Sequence, residues 1–169
     1  MIVIETERLT LRRLTTDDAP FILELVNTPT WLQFIGDRKV HSIDDAEKYI
    51  LNGPMEAYKK NGTGLYHVSL RENGEPIGMC GLLKREILDD LDIGFALLPG
   101  FEGKGYAYEA AIATVEHGRN DLGIVRLVAF TTPANERSIA LIHKLGMQFE
   151  RNFRFPGDEE ELLLFGVDF

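Results

Sequence analysis

One stretch, from Asp92 to Ala113, limits what this chain can fold into. Residues 92–98 form a short apolar run typical of a buried strand. Residues 99–105 contain three glycines and a proline, which predicts a loop, and helical apolar spacing begins at residue 106. The first N–H groups of a helix have no partner within it, and the helix dipole favours negative charge there. A strand, a glycine-rich loop and a helix start therefore make a site for an anion such as phosphate.

The spacing within this loop differs from two common phosphate-binding patterns. A P-loop requires Ser or Thr after its lysine, whereas Gly105 follows Lys104. A dinucleotide fingerprint requires a third glycine, where this chain has Tyr108. On the residues alone, a phosphate site and a tight turn that merely needs glycine are equally acceptable interpretations.

Residues 103–107 (Gly-Lys-Gly-Tyr-Ala) resemble the acetyl-CoA loop of the GNAT superfamily of N-acetyltransferases. They most resemble the branch of ribosomal-protein N-terminal acetyltransferases of the RimJ and RimL type. The superfamily pattern is Gln or Arg, two residues, Gly, one residue, then Gly or Ala; here Glu102, Gly105 and Ala107 hold these positions. Glu102 departs from the pattern, and an acid beside a pyrophosphate should weaken binding unless its side chain points away.

A second motif carries the same resemblance. Residues 135–138 (Asn-Glu-Arg-Ser), with Leu-Gly-Met at 145–147, resemble the second GNAT cofactor segment. In the family, the Asn of this segment contacts the pantetheine arm of the cofactor. Asn is also a preferred helix N-cap, so both roles are open for Asn135. The resemblance implies cofactor contacts by these residues: Phe95, Ala96, Leu97, Glu102, Gly103, Lys104, Gly105, Tyr106, Ala107, Tyr108, Asn135 and Ser138.

The order of elements predicts an α/β fold. Hydrophobic patterns and turn signals predict strands at 6–14, 65–71, 76–83, 91–98, 124–131, 147–155 and 161–169. Helices are expected after caps near Thr15, Ser42 and Asn135 and over 106–119, with a break at Pro54 and a less regular segment at 28–41. The resemblance implies the GNAT acyl-CoA N-acyltransferase fold, a mixed, mostly antiparallel sheet with helices on both faces. The cofactor is then expected where the strands 91–98 and 124–131 splay apart.

Length, charge and cysteine content restrict the function further. The 169 residues fit a single domain spanning 1–169, and a net charge of −9 disfavours nucleic acid as a partner. The charge suits an amine substrate, or simply solubility. No apolar run is long enough to span a membrane, no signal peptide is evident, and Cys80 has no second cysteine to pair with. These features predict a cytoplasmic protein with no membrane partner, and leave monomer and homodimer open.

Acetyl transfer from a thioester to an amine needs a base for the amine proton and hydrogen-bond donors for the thioester oxygen and leaving thiolate. Asp92 holds the position where family members often carry a glutamate; a carboxylate in solvent is the alternative. Ser138 matches the serine to which the acid role is assigned in the RimL-like branch; a capping role is the alternative. Ile142 stands where many members have a tyrosine. The chemistry needs no metal, and the four histidines show no metal-ligand spacing.

The acceptor side is expected near the first helices, which line it in the resembling family. Trp31, Phe34 and His41 are the candidate acceptor contacts, with packing under a loop as the alternative. The resemblance implies an acetyl-CoA-dependent N-acetyltransferase that moves the acetyl group directly to a primary amine, on a protein N-terminus or a small molecule. The rivals are a non-catalytic acyl-CoA-binding module, favoured by Ile142 and Glu102, and a nucleotide-phosphate-binding protein, disfavoured by the missing hydroxyl after Lys104.

Overall fold

A computed structural model describes residues 1–169, and its central feature is one eight-stranded sheet. The strands are β1 Ile2–Glu5, β2 Leu9–Arg13, β3 Leu65–Leu70, β4 Pro76–Leu83, β5 Asp92–Leu97, β6 Arg126–Thr131, β7 Gln148–Phe153 and β8 Leu162–Asp168. The helices are α1 Ala19–Leu25, α2 Pro29–Phe34, α3 Ile43–Asn52, α4 Pro54–Asn61, α5 Tyr106–Asn120 and α6 Glu136–Lys144. The strand order is β1-β2-β3-β4-β5-β6-β8-β7.

All neighbouring strands are antiparallel except β5 and β6, which are parallel. This pair has a single registered contact, between Asp92 and Val128. Beyond Asp92 the two strands part, so the edge of β5 facing β6 has no strand partner along most of its length. The predicted mixed, mostly antiparallel sheet is confirmed.

Two consecutive residues of β4 show that helices cover both faces of the sheet. Met79 packs into a cluster formed mainly by α1, α2 and α3. Cys80 points the other way, and its Sγ lies 3.4 Å from Oγ1 of Thr114 on α5. Successive strand residues face opposite sides, so burying both stabilises both layers, by about 1.5–3 kcal/mol for a large apolar side chain. The prediction of helices on both faces is confirmed.

The N-terminal region differs from the prediction in two places. The single strand expected at 6–14 is a hairpin of β1 and β2, turned where the Thr6 N–H donates to the Leu9 carbonyl over 2.9 Å. The segment 28–41, expected to be less regular, contains helix α2. Thr28 caps this helix with its side chain, and Pro29 takes the first helical position, where a missing N–H costs nothing.

Local signals set the other helix ends as expected. The Ser42 side chain accepts from the Asp45 N–H at the start of α3, and Pro54 begins α4 after a break at Gly53. Gly146 follows α6 with a φ of 91°, the left-handed conformation that glycine adopts without strain. None of the helices is both long and apolar enough to cross a membrane.

Candidate active site

A cleft of about 1260 Å³ opens where β5 and β6 part. Its walls come from β5, from the end of β6 and the first turn of α6, from the loop 99–105 with the start of α5, and from α2 and α3. The volume exceeds the roughly 300–1,000 Å³ typical of sites for drug-sized ligands, so a long ligand can be held.

The loop 99–105 contributes Glu102, Gly103 and Gly105 to the cleft lining. Gly103 and Gly105 have φ values of 76° and 84°, which are strained for residues with a Cβ. Gly105 is the N-cap of α5 and supplies no side-chain cap. The first N–H groups of α5 are thus left for a ligand, and the positive end of the helix dipole adds attraction for an anion.

Arg8, on the turn between β1 and β2, holds this loop from behind. Its Nη1 donates to the Lys104 carbonyl over 3.1 Å, and its Nε donates to Oε1 of Glu109 over 2.7 Å. Its guanidinium lies 4.4 Å from the centre of the Tyr106 ring. Burial raises the pKa of Glu109, but hydrogen bonds from Thr6 and Arg8 outweigh it and hold that pKa below its usual value. The loop and the start of α5 are thereby fixed to the edge of the sheet.

Glu102, the acid at the unusual position of the loop, is paired. Nη1 of Arg137 on α6 donates to its Oε2 over 2.5 Å. The pair joins the loop 99–105 to α6, and both residues line the cleft. The negative charge expected to oppose a pyrophosphate is therefore compensated by a neighbouring cation.

Asn135 and Ser138 lie together at the start of α6. Oδ1 of Asn135 accepts a 3.2 Å hydrogen bond from the Ser138 N–H, so Asn135 is the N-cap of this helix. Only the oxygen of the amide is used for capping. The Asn135 NH₂ group and the Ser138 hydroxyl stay available to the cleft that both residues line. The capping role is confirmed and does not compete with a ligand contact.

Asp92 lies at the closed end of the splay between β5 and β6 and is 1% exposed. The alternative of a carboxylate in solvent is therefore wrong. Burial raises its pKa from 3.8 to about 6, against the opposing charge and hydrogen bond of Arg85. Nε of Arg85 donates to its Oδ1 over 2.8 Å, and the guanidinium lies 4.8 Å from the centre of the Phe130 ring.

Alternation along β5 sets which side of the sheet Asp92 faces. Ala96 packs with the cluster of α1, α2 and α3, whereas Ile93 and Phe95 pack with the cluster of α5. Asp92 shares the face of Ala96 because side chains alternate along a strand. Trp31 and Tyr49 belong to the Ala96 cluster and line the cleft.

The structure brings most of the predicted site residues to the cleft and leaves three outside its lining. Those in the lining are Trp31, Phe34, Asp92, Phe95, Ala96, Leu97, Glu102, Gly103, Gly105, Ala107, Tyr108, Asn135 and Ser138. Outside it, Lys104 and Tyr106 contact Arg8. His41 is exposed, and its N–H donates to Asp45 Oδ2 over 3.1 Å. His41 lies outside the cleft lining, and its role as an acceptor contact stays a prediction.

Polar residues of the cleft that sequence reasoning missed include Arg38, Tyr49, Arg85 and Thr132. Thr132 is 7% exposed and its Oγ1 has no hydrogen-bond partner. A signal was available for Arg85. Leu83 pairs with Asp92 in the antiparallel β4–β5 pair, so a residue just beyond Leu83 can reach the Asp92 carboxylate. Arg38, Tyr49 and Thr132 carry no comparable local signal.

Comparison with known families decides what this arrangement is. A family model described as an acetyltransferase (GNAT) domain matches residues 8–148, which include β5, β6, the loop 99–105, α5 and α6. The chain belongs to the GNAT acetyltransferase family. The sequence resemblance is thus confirmed, and the chain is an acetyltransferase whose strand splay, glycine loop and α6 cap lie together.

Relatives and solved structures agree with this GNAT assignment. YnaD of Bacillus subtilis (strain 168), an uncharacterized N-acetyltransferase, is 27% identical over 151 residues, covering 89% of this chain and 85% of its own. The crystal structure of an acetyltransferase from Agrobacterium tumefaciens (str. C58) has a TM-score of 0.81 at 27% identity, covering 97% of this chain and 92% of that one. RimL, a ribosomal L7/L12 alpha-N-protein acetyltransferase in complex with coenzyme A, has a TM-score of 0.84 and covers 99% and 98% of the chains. At 19% identity, the likeness to RimL concerns the fold alone.

Proposed function

We propose that this GNAT acetyltransferase moves an acetyl group from acetyl-CoA directly to a primary amine, on a protein N-terminus or a small molecule. The observation that carries the proposal is the splay of β5 and β6, with a glycine loop and helix start in its walls and the buried Asp92 at its closed end. Direct transfer forms no covalent intermediate with the enzyme, so it needs no nucleophile–base pair.

The residues present fit acetyl-CoA. Backbone N–H groups after Gly103 and Gly105 suit its pyrophosphate, because no Cβ stands in the way. The unpaired edge of β5 and the Asn135 NH₂ group suit the amides of a pantetheine arm, which need both donors and acceptors. The unpartnered Thr132 Oγ1 adds a hydroxyl to the same cleft.

Asp92 is the candidate base of this reaction. Bound acetyl-CoA supplies an activated acetyl thioester, and the amine must lose a proton to attack it. With a pKa of about 6, Asp92 is mostly ionised at neutral pH and can accept that proton, directly or through a water. Arg85 keeps the carboxylate charged and fixes its orientation. Ser138 is the candidate donor to the leaving thiolate, since this residue lines the cleft.

A second candidate function is a non-catalytic acyl-CoA-binding module. Ile142, at the position where many family members have tyrosine, is 1% exposed and lines the cleft. It presents an apolar surface where a phenol would donate a proton. This candidate predicts acetyl-CoA binding without turnover of any amine, and no effect of Asp92→Asn on function.

Release of CoA thiol from acetyl-CoA tests the proposal. One acceptor pool contains small amines, such as amino acids, polyamines and aminoglycosides, and the other contains peptides with free N-termini. An enzyme-only blank corrects for Cys80, whose buried thiol has a pKa raised to about 12 and should react slowly. Amine-dependent release that Asp92→Asn abolishes is expected. Acetyl-CoA binding without release from either pool would favour the binding module.

A further inference from the structure

Three side chains of α2, α3 and the loop between them line one wall of the cleft: Trp31, Arg38 and Tyr49. We call them the α2–α3 wall. Trp31 is 5% exposed, and its indole Nε1 is buried without a hydrogen-bond partner. A buried donor left unpaired costs about 1–3 kcal/mol, so such a group in a binding cleft points to a ligand that accepts from it.

Tyr49 and Arg38 are unpaired as well. Burial raises the pKa of the Tyr49 phenol against the charges of Arg38 and Arg85, and no hydrogen bond contributes to that shift. Arg38, Tyr49 and Arg85 all line the same cleft. Arg38 takes part in none of the ion pairs of the structure.

The neighbouring cations are already engaged. Arg85 is paired with Asp92, and Nζ of Lys84 donates to the carbonyls of Arg85 and Leu88. Arg38 is therefore the free positive charge of the α2–α3 wall, and the wall offers donors with no matching acceptor. The connection between β7 and β8 lines the same cleft with the opposite charge, through Asp158 and Glu160. The cleft can thus receive a molecule that carries both signs of charge.

We infer that the acceptor carries a carboxylate in addition to its amine, and that Arg38, Tyr49 and Trp31 bind this carboxylate. The inference rests on the proposed function, because it concerns the acceptor of the same reaction. A guanidinium matches a carboxylate with two parallel hydrogen bonds, and a phenol O–H and an indole N–H add single donors. The amine end is then directed to Asp92, on the sheet face that α2 and α3 cover. Polyamines are disfavoured, because their second cation would meet Arg38.

Matched acceptors test the carboxylate requirement. β-Alanine, β-alaninamide and diaminopropane present an anionic, a neutral and a cationic end group on the same short chain. The peptides Ser-Asp and Ser-Asn, with amidated C-termini, make the same comparison for a protein-like acceptor. Whether the small amines or the peptides are acetylated shows which class of acceptor the enzyme uses. We expect kcat/KM to be about tenfold to hundredfold higher for the carboxylated member, as charge-assisted hydrogen bonds imply. Equal rates, or preference for the diamine, would overturn the inference.

Variants assign the effect to the α2–α3 wall. Arg38→Gln should remove the preference for the carboxylated acceptor while leaving the KM for acetyl-CoA unchanged. Tyr49→Phe should reduce that preference. Trp31→Phe keeps the packing but loses the indole donor. Arg71→Gln, an exposed arginine outside the cleft lining, is the charge control and should keep the preference. A preference that survives in Arg38→Gln would contradict the assignment.

A binding measurement separates this inference from the proposed function. Calorimetry on the CoA-saturated protein compares N-acetyl-β-alanine with its amide, neither of which needs turnover. Tighter binding of the carboxylate that depends on Arg38, in a protein that turns over no acceptor, would leave the anion site standing and reject the transferase. Equal turnover of neutral and carboxylated amines would reject the anion site and leave the transferase standing.

Discussion

Nε of Arg85 lies 2.8 Å from Oδ1 of Asp92, and the carboxylate of this pair is almost fully buried while the guanidinium is partly exposed. Asp92 is both the first residue of β5 and its only registered contact with β6. The ion pair therefore lies where the cleft closes. It sets the protonation of the one buried carboxylate in the cleft.

The substitution Asp92→Asn should abolish most activity and stabilise the fold at neutral pH. As a base, Asp92 is worth about a hundredfold to ten-thousandfold in rate. Its folded pKa, about 6, lies above the usual 3.8, so its contribution to stability is present below about pH 4 and lost as pH rises to about 6. Removing the charge should raise the free energy of unfolding by up to about 3 kcal/mol at neutral pH.

The rate of acetyl transfer checks the predicted loss of activity, and thermal unfolding at several pH values checks the predicted gain in stability. The two proteins should unfold at similar temperatures near about pH 4, and the variant should unfold at the higher temperature above about pH 6. Asp158→Asn, which removes an exposed cleft carboxylate, is the control for general charge effects. A parallel pH dependence of stability in Asp92→Asn and the parent protein would show that Asp92 has an ordinary pKa.

The substitution Arg85→Gln should shift the pH dependence of the reaction towards alkaline pH. Arg85 lowers the pKa of Asp92 through its charge and its hydrogen bond, so that pKa rises when the guanidinium is lost. Asp92 then stays protonated to higher pH. The ratio of kcat/KM between variant and parent should fall as pH is lowered from about 8 to about 6, since ionisation of the acceptor cancels in this ratio. Arg85→Lys, which keeps the charge, should shift less. A ratio that does not vary with pH would exclude coupling between the two residues.

The glycine loop is tested by a pair of matched substitutions. Gly103 and Gly74 have φ values of 76° and 73°, and an added Cβ meets no atom within 4 Å at either position. Alanine should cost roughly 1–2 kcal/mol of stability at both, because both adopt the left-handed conformation. Only Gly103 lies in the cleft wall beside the start of α5, so only Gly103→Ala should weaken acetyl-CoA binding, by about tenfold or more. Equal affinities of the two variants in calorimetry would remove the loop from the cofactor site.

Local chemistry explains why the sequence predicted most of the fold. The caps Ser42 and Asn135, the proline at 54 and the glycine at 146 act within one helical turn, so each is readable from its neighbours. The β1–β2 hairpin and helix α2 were missed. The hairpin has no Asn-Gly or Asp-Gly turn, and α2 has only six residues, too few for a helical period to emerge.

The site was harder to predict wherever it depends on tertiary contacts. Glu102 and Arg137 are 35 positions apart, and nothing in either motif indicates that they pair. Arg38 and Tyr49 become part of the cleft only because α2 and α3 pack on the face of the sheet that carries Asp92. His41 lies in the same segment and was predicted from residue type, but its backbone N–H is used by Asp45 at the start of α3 and its side chain stays outside the cleft lining.

The Glu102–Arg137 pair predicts an increase in cofactor affinity when its acid is removed. Glu102→Gln keeps the size of the side chain, frees Arg137 for a phosphate and removes a negative charge from the loop. Because the pair is exposed, the gain in acetyl-CoA affinity should be small, about two- to fivefold at low salt, and should shrink as salt screens the charges. Calorimetry at two salt concentrations measures it. Arg137→Gln should lower affinity, and weaker binding by Glu102→Gln would show that the acid has a positive role in the loop.

The two roles of Asn135, capping α6 and contacting the cofactor, can be separated by a substitution that keeps only the cap. Serine is as good an N-cap as asparagine, so Asn135→Ser should leave the free energy of unfolding nearly unchanged, whereas Asn135→Ala should lower it by about 1 kcal/mol. Serine lacks the NH₂ group that the capping hydrogen bond leaves free. If that group contacts the pantetheine arm, the KM for acetyl-CoA should rise by about fivefold to tenfold in both variants, the cost of one neutral hydrogen bond. A raised KM in Asn135→Ala alone would mean that Asn135 acts on the cofactor only by holding the start of α6, because the variant that keeps the cap would then keep the binding.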